Sequence, residues 1–111
     1  MDEKPSAGAG QNEEARYEVI VTPEAEADLA AIYAYVSSNL AAPQSARRYV
    51  TAIKKAVLSL DIMPYRHQIY PREPWRSRKA RYLSVGSYTI FYYPEPASKR
   101  VYVFRITWAA S

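Results

Sequence analysis

Tyr17, Val19 and Val21 recur at every second position, and at Thr22-Pro23 that period gives way to steps of three and four. This switch constrains the fold more than any other feature, because a period of two lines one face of a strand and a period near 3.6 lines one face of a helix. The segment YEVIV, rich in β-branched side chains, therefore predicts a strand. Thr22 then offers a side-chain oxygen as N-cap and Pro23 suits a first helical turn. Glu24, Glu26 and Asp28 place negative charge at the positive end of the helix dipole.

Ala25, Leu29, Ile32, Tyr33, Val36 and Leu40 form the apolar stripe of this helix, which Asn39 and Pro43 end. A second helix is expected from about Gln44 to Leu60, with Ala46, Tyr49, Val50, Ile53, Val57 and Leu60 on its apolar side. Arg47, Arg48, Lys54 and Lys55 lie largely off that stripe, and the two helices make a hairpin. Between Asp61 and Ala80 neither period persists, and Pro64, Pro71 and Pro74 predict a loop. RYLSV, YTIFYY and RVYVFRITW then read as three strands separated by Gly86-Ser87 and by PEPASK. In the last strand Tyr102, Phe104, Ile106 and Trp108 are expected on one face, with Val101, Val103, Arg105 and Thr107 on the other. Both faces are partly apolar, so the hairpin should cover one side of the sheet and leave the other concave and partly open. The expected class is α+β: an N-terminal strand, an α-helical hairpin, then a three-stranded antiparallel meander in one curved sheet.

A chain of 111 residues suits one domain. Residues 1–16 carry few large apolar side chains and are expected to form a flexible tail, leaving 17–111 as the domain. The absence of cysteine removes disulfides, thiolate zinc sites and cysteine nucleophiles, and suits the cytoplasm. No signal peptide and no membrane-length apolar run is found, which points the same way. With three glycines and no zinc spacing or nucleophile elbow, neither a cofactor nor a metal is expected. A net charge of +4 permits an acidic or polyanionic partner.

The opening YEVIVTPEAEADLAAIYAYV, the helix SARRYVTAIKKAVLSL with MPY after it, and the close RYLSVGSYTIFYYPEPASKRVYVFRI resemble the RelE/ParE superfamily of toxins from type II toxin–antitoxin systems. The likeness covers roughly residues 17 to 107 and rests on the combination and order of the segments. It implies a four-stranded sheet carrying the hairpin, and a cognate acidic, partly disordered antitoxin that wraps the toxin. It also implies one of two activities. RelE-like members cut messenger RNA in the ribosome; ParE-like members, the plasmid-stabilisation type, poison DNA gyrase without being nucleases.

Cutting RNA requires groups that activate the 2′-hydroxyl, stabilise phosphate charge and protonate the leaving oxygen. Where the RelE-like pattern has leucine-arginine, this chain has Leu83-Ser84, and after the last strand it reads Trp108-Ala109-Ala110-Ser111 with no basic residue or tyrosine. Arg81, Tyr88, Arg105 and the single histidine, His67, are the remaining catalytic candidates. Each also has a structural reading, as an edge charge, a packed ring or a solvated loop imidazole. The basic loop is more informative: Arg66, Arg72, Arg76, Arg78, Lys79 and Arg81 are opposed only by Glu73, with Tyr65, Tyr70 and Trp75 interleaved. The expected function is therefore a ParE-like gyrase inhibitor with Arg66, Arg72, Arg76, Arg78, Lys79, Arg81, Arg105 and Trp108 as target contacts. A RelE-like endonuclease acting on the ribosome and its message, and a degenerate toxin that only binds antitoxin, are the alternatives.

Overall fold

The computed structural model describes residues 16–39 and 43–108. Strand β1 (Glu18–Val21) leads into helix α1 (Pro23–Asn39), and α2 (Pro43–Leu58) follows; β2 (Arg81–Val85), β3 (Tyr88–Glu95) and β4 (Arg100–Trp108) complete the strands. The expected tail lies outside the described residues apart from Arg16, which bridges to Ile62 and stands 3.8 Å from the Asp61 carboxylate. Leu40 also lies outside them.

Local chemistry sets the helix ends. Thr22 Oγ1 accepts the Ala25 N–H at 3.3 Å, so the predicted N-cap is in place. Pro43 opens α2, where an N–H would have no helical partner. That helix ends at Leu58, earlier than the expected Leu60, because the chain tightens into a 3-10 turn at Ser59–Asp61 that still buries Leu60. A second 3-10 turn, Pro64–Arg66, and a bridge between Ile69 and Arg81 add order to the segment expected to be loop.

The sheet order is β1-β4-β3-β2, with β1 parallel to β4 and the remaining pairs antiparallel. On one face Leu29, Ile32 and Val36 of α1 and Ala46, Ile53 and Val57 of α2 pack onto Ile90, Tyr92, Val101 and Val103. Truncating a fully buried Ile53 or Val103 would remove both apolar transfer energy and packing, about 2–4 kcal/mol each.

Strand β4 departs from simple alternation. Phe91 pairs with Arg105 but its neighbour Tyr92 pairs with Val103, which makes Phe104 an extra residue in β4, a β-bulge. The strand's phase reverses there, so Val101 and Val103 before it and Ile106 after it all point into the core. The single face expected for Tyr102, Phe104, Ile106 and Trp108 is therefore split. Phe104 joins the aromatic rings on the face away from the helices, whereas Ile106 is buried beneath them and Trp108 stands beside Tyr88.

Asp28 holds this bulge. Pairing with β1 ends at Val103, so that edge of β4 has no further strand neighbour. The Asp28 carboxylate takes the neighbour's place: its Oδ2 accepts the Ile106 N–H at 2.8 Å and Arg105 Nε at 3.0 Å, while Arg105 Nη2 donates to Oδ1 at 3.3 Å. A residue expected only to complement the helix dipole thus satisfies a strand far along the chain.

Asp28→Ala leaves a partly buried N–H without its acceptor and should cost about 1–3 kcal/mol in urea denaturation. Arg105→Ala removes only a half-exposed ion-pair partner and should cost under about 1 kcal/mol. Equal losses would show that the ion pair, not the backbone acceptor, carries the clamp.

Candidate interaction surface

The face of the sheet away from the helices is aromatic. Trp75 of the basic loop stacks on Phe91 at 5.3 Å between centroids and lies 5.4 Å from Phe104, while Tyr70 meets Phe91 edge-on at 4.9 Å and Tyr82 at 5.1 Å. Tyr93 continues the layer toward Phe104 and Tyr102. Trp75 therefore anchors the loop, and Trp75 and Tyr70, two of the rings interleaved with the loop cations, are occupied by the sheet. The loop's path is a series of turns, with Arg72 carbonyl accepting Arg76 N–H and Trp75 carbonyl accepting Ala80 N–H, and Lys79 in the left-handed region at φ 59°.

The cations of the segment divide into two sets. Arg66 turns back on the chain, donating to the carbonyls of Ser59, Ile62 and Met63, so it caps the end of the second helical segment. Arg81 donates to the carbonyls of Tyr65 at 3.2 Å and His67 at 2.6 Å, with its guanidinium 5.0 Å from the Tyr65 ring centre. These two are tied into the fold. Arg72, Arg76, Arg78 and Lys79 are exposed together around Trp75. Arg78 lies over the indole at 5.8 Å, and Arg76 pairs with Glu73 at 3.2 Å. Hydrogen bonds from Ser77 first, and Arg76 after it, hold the Glu73 carboxyl below its ordinary pKa. Arg72 and Lys79 make no side-chain contact of this kind among the described residues.

The catalytic candidates do not converge. His67 packs its ring edge-on to Tyr92 at 6.1 Å, and its buried Nε2 meets no hydrogen-bond partner among the described residues. Burial, and secondarily Arg66, lowers its pKa, so the neutral ring is favoured. Tyr92 donates its hydroxyl to the Pro64 carbonyl at 2.6 Å, and burial pushes its pKa up to about 12. Arg81 belongs to this same end of the sheet, opposite Tyr92. Tyr88 sits four residues away along β3, roughly 13 Å at about 3.3 Å per residue. Its pKa is raised by burial, then by Tyr49 and Tyr35, so its hydroxyl keeps its proton. Arg105 is held by Asp28 at the strand edge. No three His, Asp or Glu side chains gather into a metal site among the described residues.

Trp108 lies apart from the basic loop, on the helix side of the sheet. It is 63% exposed and, with Ala31, Ile32, Tyr35 and Tyr88, lines an apolar cleft of about 260 Å³. Tyr35, itself 56% exposed, escaped the sequence reading because it falls off the apolar stripe of α1. A large aromatic placed off that stripe was the available signal.

The chain is an α+β domain with a helical hairpin on a four-stranded sheet, a cationic loop and an apolar cleft. A family model described as the ParE toxin of type II toxin–antitoxin systems, parDE, matches residues 19–109, and the chain belongs to that family. No curated protein matches it in sequence. Among solved structures, the chromosomal ParDE toxin–antitoxin system of P. aeruginosa is similar at a TM-score of 0.70 and 23% identity, covering 86% of this chain and 99% of that one. The RelBE2 toxin–antitoxin complex of Mycobacterium tuberculosis is similar at 0.62 and 21% identity, covering 86% and 95%. The fold expected from the sequence is thus the one found, with the corrections at β4 given above.

His67 is the only histidine, so its ring protons can be followed alone by NMR. Its midpoint should fall below the ordinary 6.5, and the stability that its burial contributes should be complete above pH 6.5 and decline as pH drops through the folded midpoint. A midpoint at or above 6.5 would mean that the ring is solvated.

Proposed function

We propose that this toxin arrests growth by binding DNA gyrase, without hydrolysing RNA, and that a cognate acidic antitoxin neutralises it in the cytoplasm. The observation that carries this reading is the separation of the four catalytic candidates. Arg81 and His67 are at one end of the sheet with their polar atoms engaged or buried, Tyr88 is at the other, and Arg105 is clamped at an edge. Phosphodiester cleavage needs such groups around one phosphate. Binding needs only what is exposed: Arg72, Arg76, Arg78 and Lys79 on the loop, and the Trp108 cleft. Arg66, Arg81 and Arg105 then act indirectly, by holding the loop and strand that present these contacts. A cationic toxin and an acidic antitoxin would associate quickly and in a salt-dependent way. The solved relatives named above are themselves toxin–antitoxin assemblies, which supports such a partner.

Purified toxin should stop supercoiling by gyrase and cause cleaved DNA to accumulate. Trp108→Ala should weaken inhibition roughly thirtyfold, the effect of losing an aromatic anchor worth about 2 kcal/mol. Reversing Arg72 and Arg78 to Glu should weaken it further. Tyr88→Phe keeps the packed ring and should leave inhibition intact. Messenger RNA cut at the ribosomal A site, and lost in Tyr88→Phe and Arg81→Gln, would overturn this reading in favour of the endonuclease. Harmless expression without the antitoxin would leave only antitoxin binding.

A further inference from the structure

The strongest unpaired charge in the structure lies outside the loop and strand just described. Helix α2, PQSARRYVTAIKKAVL, contains Arg47, Arg48, Lys54 and Lys55 and no acidic residue, and all four cations are exposed. None has an ion-pair partner among the described residues. The loop is different, since Arg76 there is paired with Glu73 and Arg78 rests on Trp75. On the solvent side of α2, Gln44, Arg47, Arg48, Thr51, Ala52 and Lys55 surround a shallow depression of about 500 Å³. Its floor is made of the small side chains Thr51 and Ala52 and the methylene stems beside them, and its rim is cationic.

We propose that this face of α2 binds the phosphate backbone of duplex DNA. Arg and Lys with an amide and a hydroxyl between them are the side chains that contact phosphate oxygens. Spread over a helix of roughly 24 Å, at about 1.5 Å per residue, they span several phosphates of one strand. A single-stranded ligand would call for aromatic platforms interleaved with the cations. No ring lines the depression: Tyr49 of the same helix lines the adjoining depression and meets Tyr88 edge-on, 6.3 Å away. An amphipathic acidic peptide would call for large apolar side chains to receive its apolar face, and none lines the depression. Backbone contact with a duplex needs neither. The choice of DNA as the duplex rests on the gyrase reading, because gyrase holds DNA while it works. The toxin would then touch the enzyme through its loop and cleft and the bound DNA through α2, two contacts on separate surfaces.

The test is fluorescence anisotropy of a labelled short DNA duplex titrated with the full chain alone, without gyrase, across a range of salt concentrations. If about four phosphates are neutralised, affinity should drop roughly a hundredfold between about 50 and 200 mM salt. The triple variant Arg47→Gln, Arg48→Gln, Lys55→Gln should bind at least about tenfold more weakly and lose about one unit of salt slope per cation removed. Arg47→Lys with Arg48→Lys keeps the charge and should keep most of the affinity, and circular dichroism of each variant checks that the fold is intact. A triple variant that binds like the unaltered chain would overturn the proposal. So would loss of binding in Arg72→Gln with Arg78→Gln instead, tighter binding of duplex RNA, or tighter binding of a polyglutamate peptide than of the duplex. DNA binding through α2 in a protein that leaves gyrase untouched would sustain this inference while removing the gyrase reading. Gyrase inhibition without DNA binding would do the reverse.

Discussion

The carboxylate of Asp28 decides how the last strand lies, and much else follows from the last strand. Past Val103 the edge of β4 loses its neighbour, and an exposed row of backbone groups there would otherwise be free to pair with another chain. Asp28 accepts the Ile106 N–H and gathers Arg105, with a side chain that is itself only 16% exposed. The bulge it supports sends Phe104 to one side of the sheet and Ile106 to the other. Phe104 then helps to seat Trp75 and with it the basic loop. Ile106 closes the core under the helices, and Trp108 emerges beside Tyr35 and Tyr88 to make the apolar cleft.

The positive charges of the chain are sorted by a related logic. Helix ends and tight turns leave backbone carbonyls without partners, and a guanidinium with several donors can satisfy a group of them at once. Arg66 and Arg81 do this around the two 3-10 turns, which ties the segment after α2 to the end of the sheet. Tyr92 and His67 fill the space between them, and their raised and lowered pKa values both follow from burial. What remains outside is a loop and a helix face whose cations can meet an anionic partner at small desolvation cost. The domain thus carries two exposed cationic surfaces, the loop on the sheet face away from the helices and the outer side of α2.

How much of this could be read before the structure depends on the range of the interaction involved. The N-cap at Thr22, the helix stripes, the reversal at Gly86 and the four strands are local consequences of side-chain period and backbone preference, and among the described residues they appear where the pattern places them, except that Tyr33 and Tyr49 of the stripes are exposed. The resemblance of the ordered segments to known toxins was likewise legible, since it resides in the order of elements rather than in any one contact. The bulge was not. Residues 100–108 continue to alternate as though the strand were regular, and the break is held by a carboxylate 78 positions before the N–H it accepts from. The same holds for the cations: a run of Arg and Lys reads as one patch, yet only the folded chain shows that Arg66 and Arg81 are engaged by backbone carbonyls while Arg72 and Lys79 are exposed. Sequence by itself determined the elements, their order and the supply of charge, because these depend on neighbours in the chain. Tertiary structure alone decided which charges and rings stay free to bind, because that depends on groups that meet only when the chain is folded.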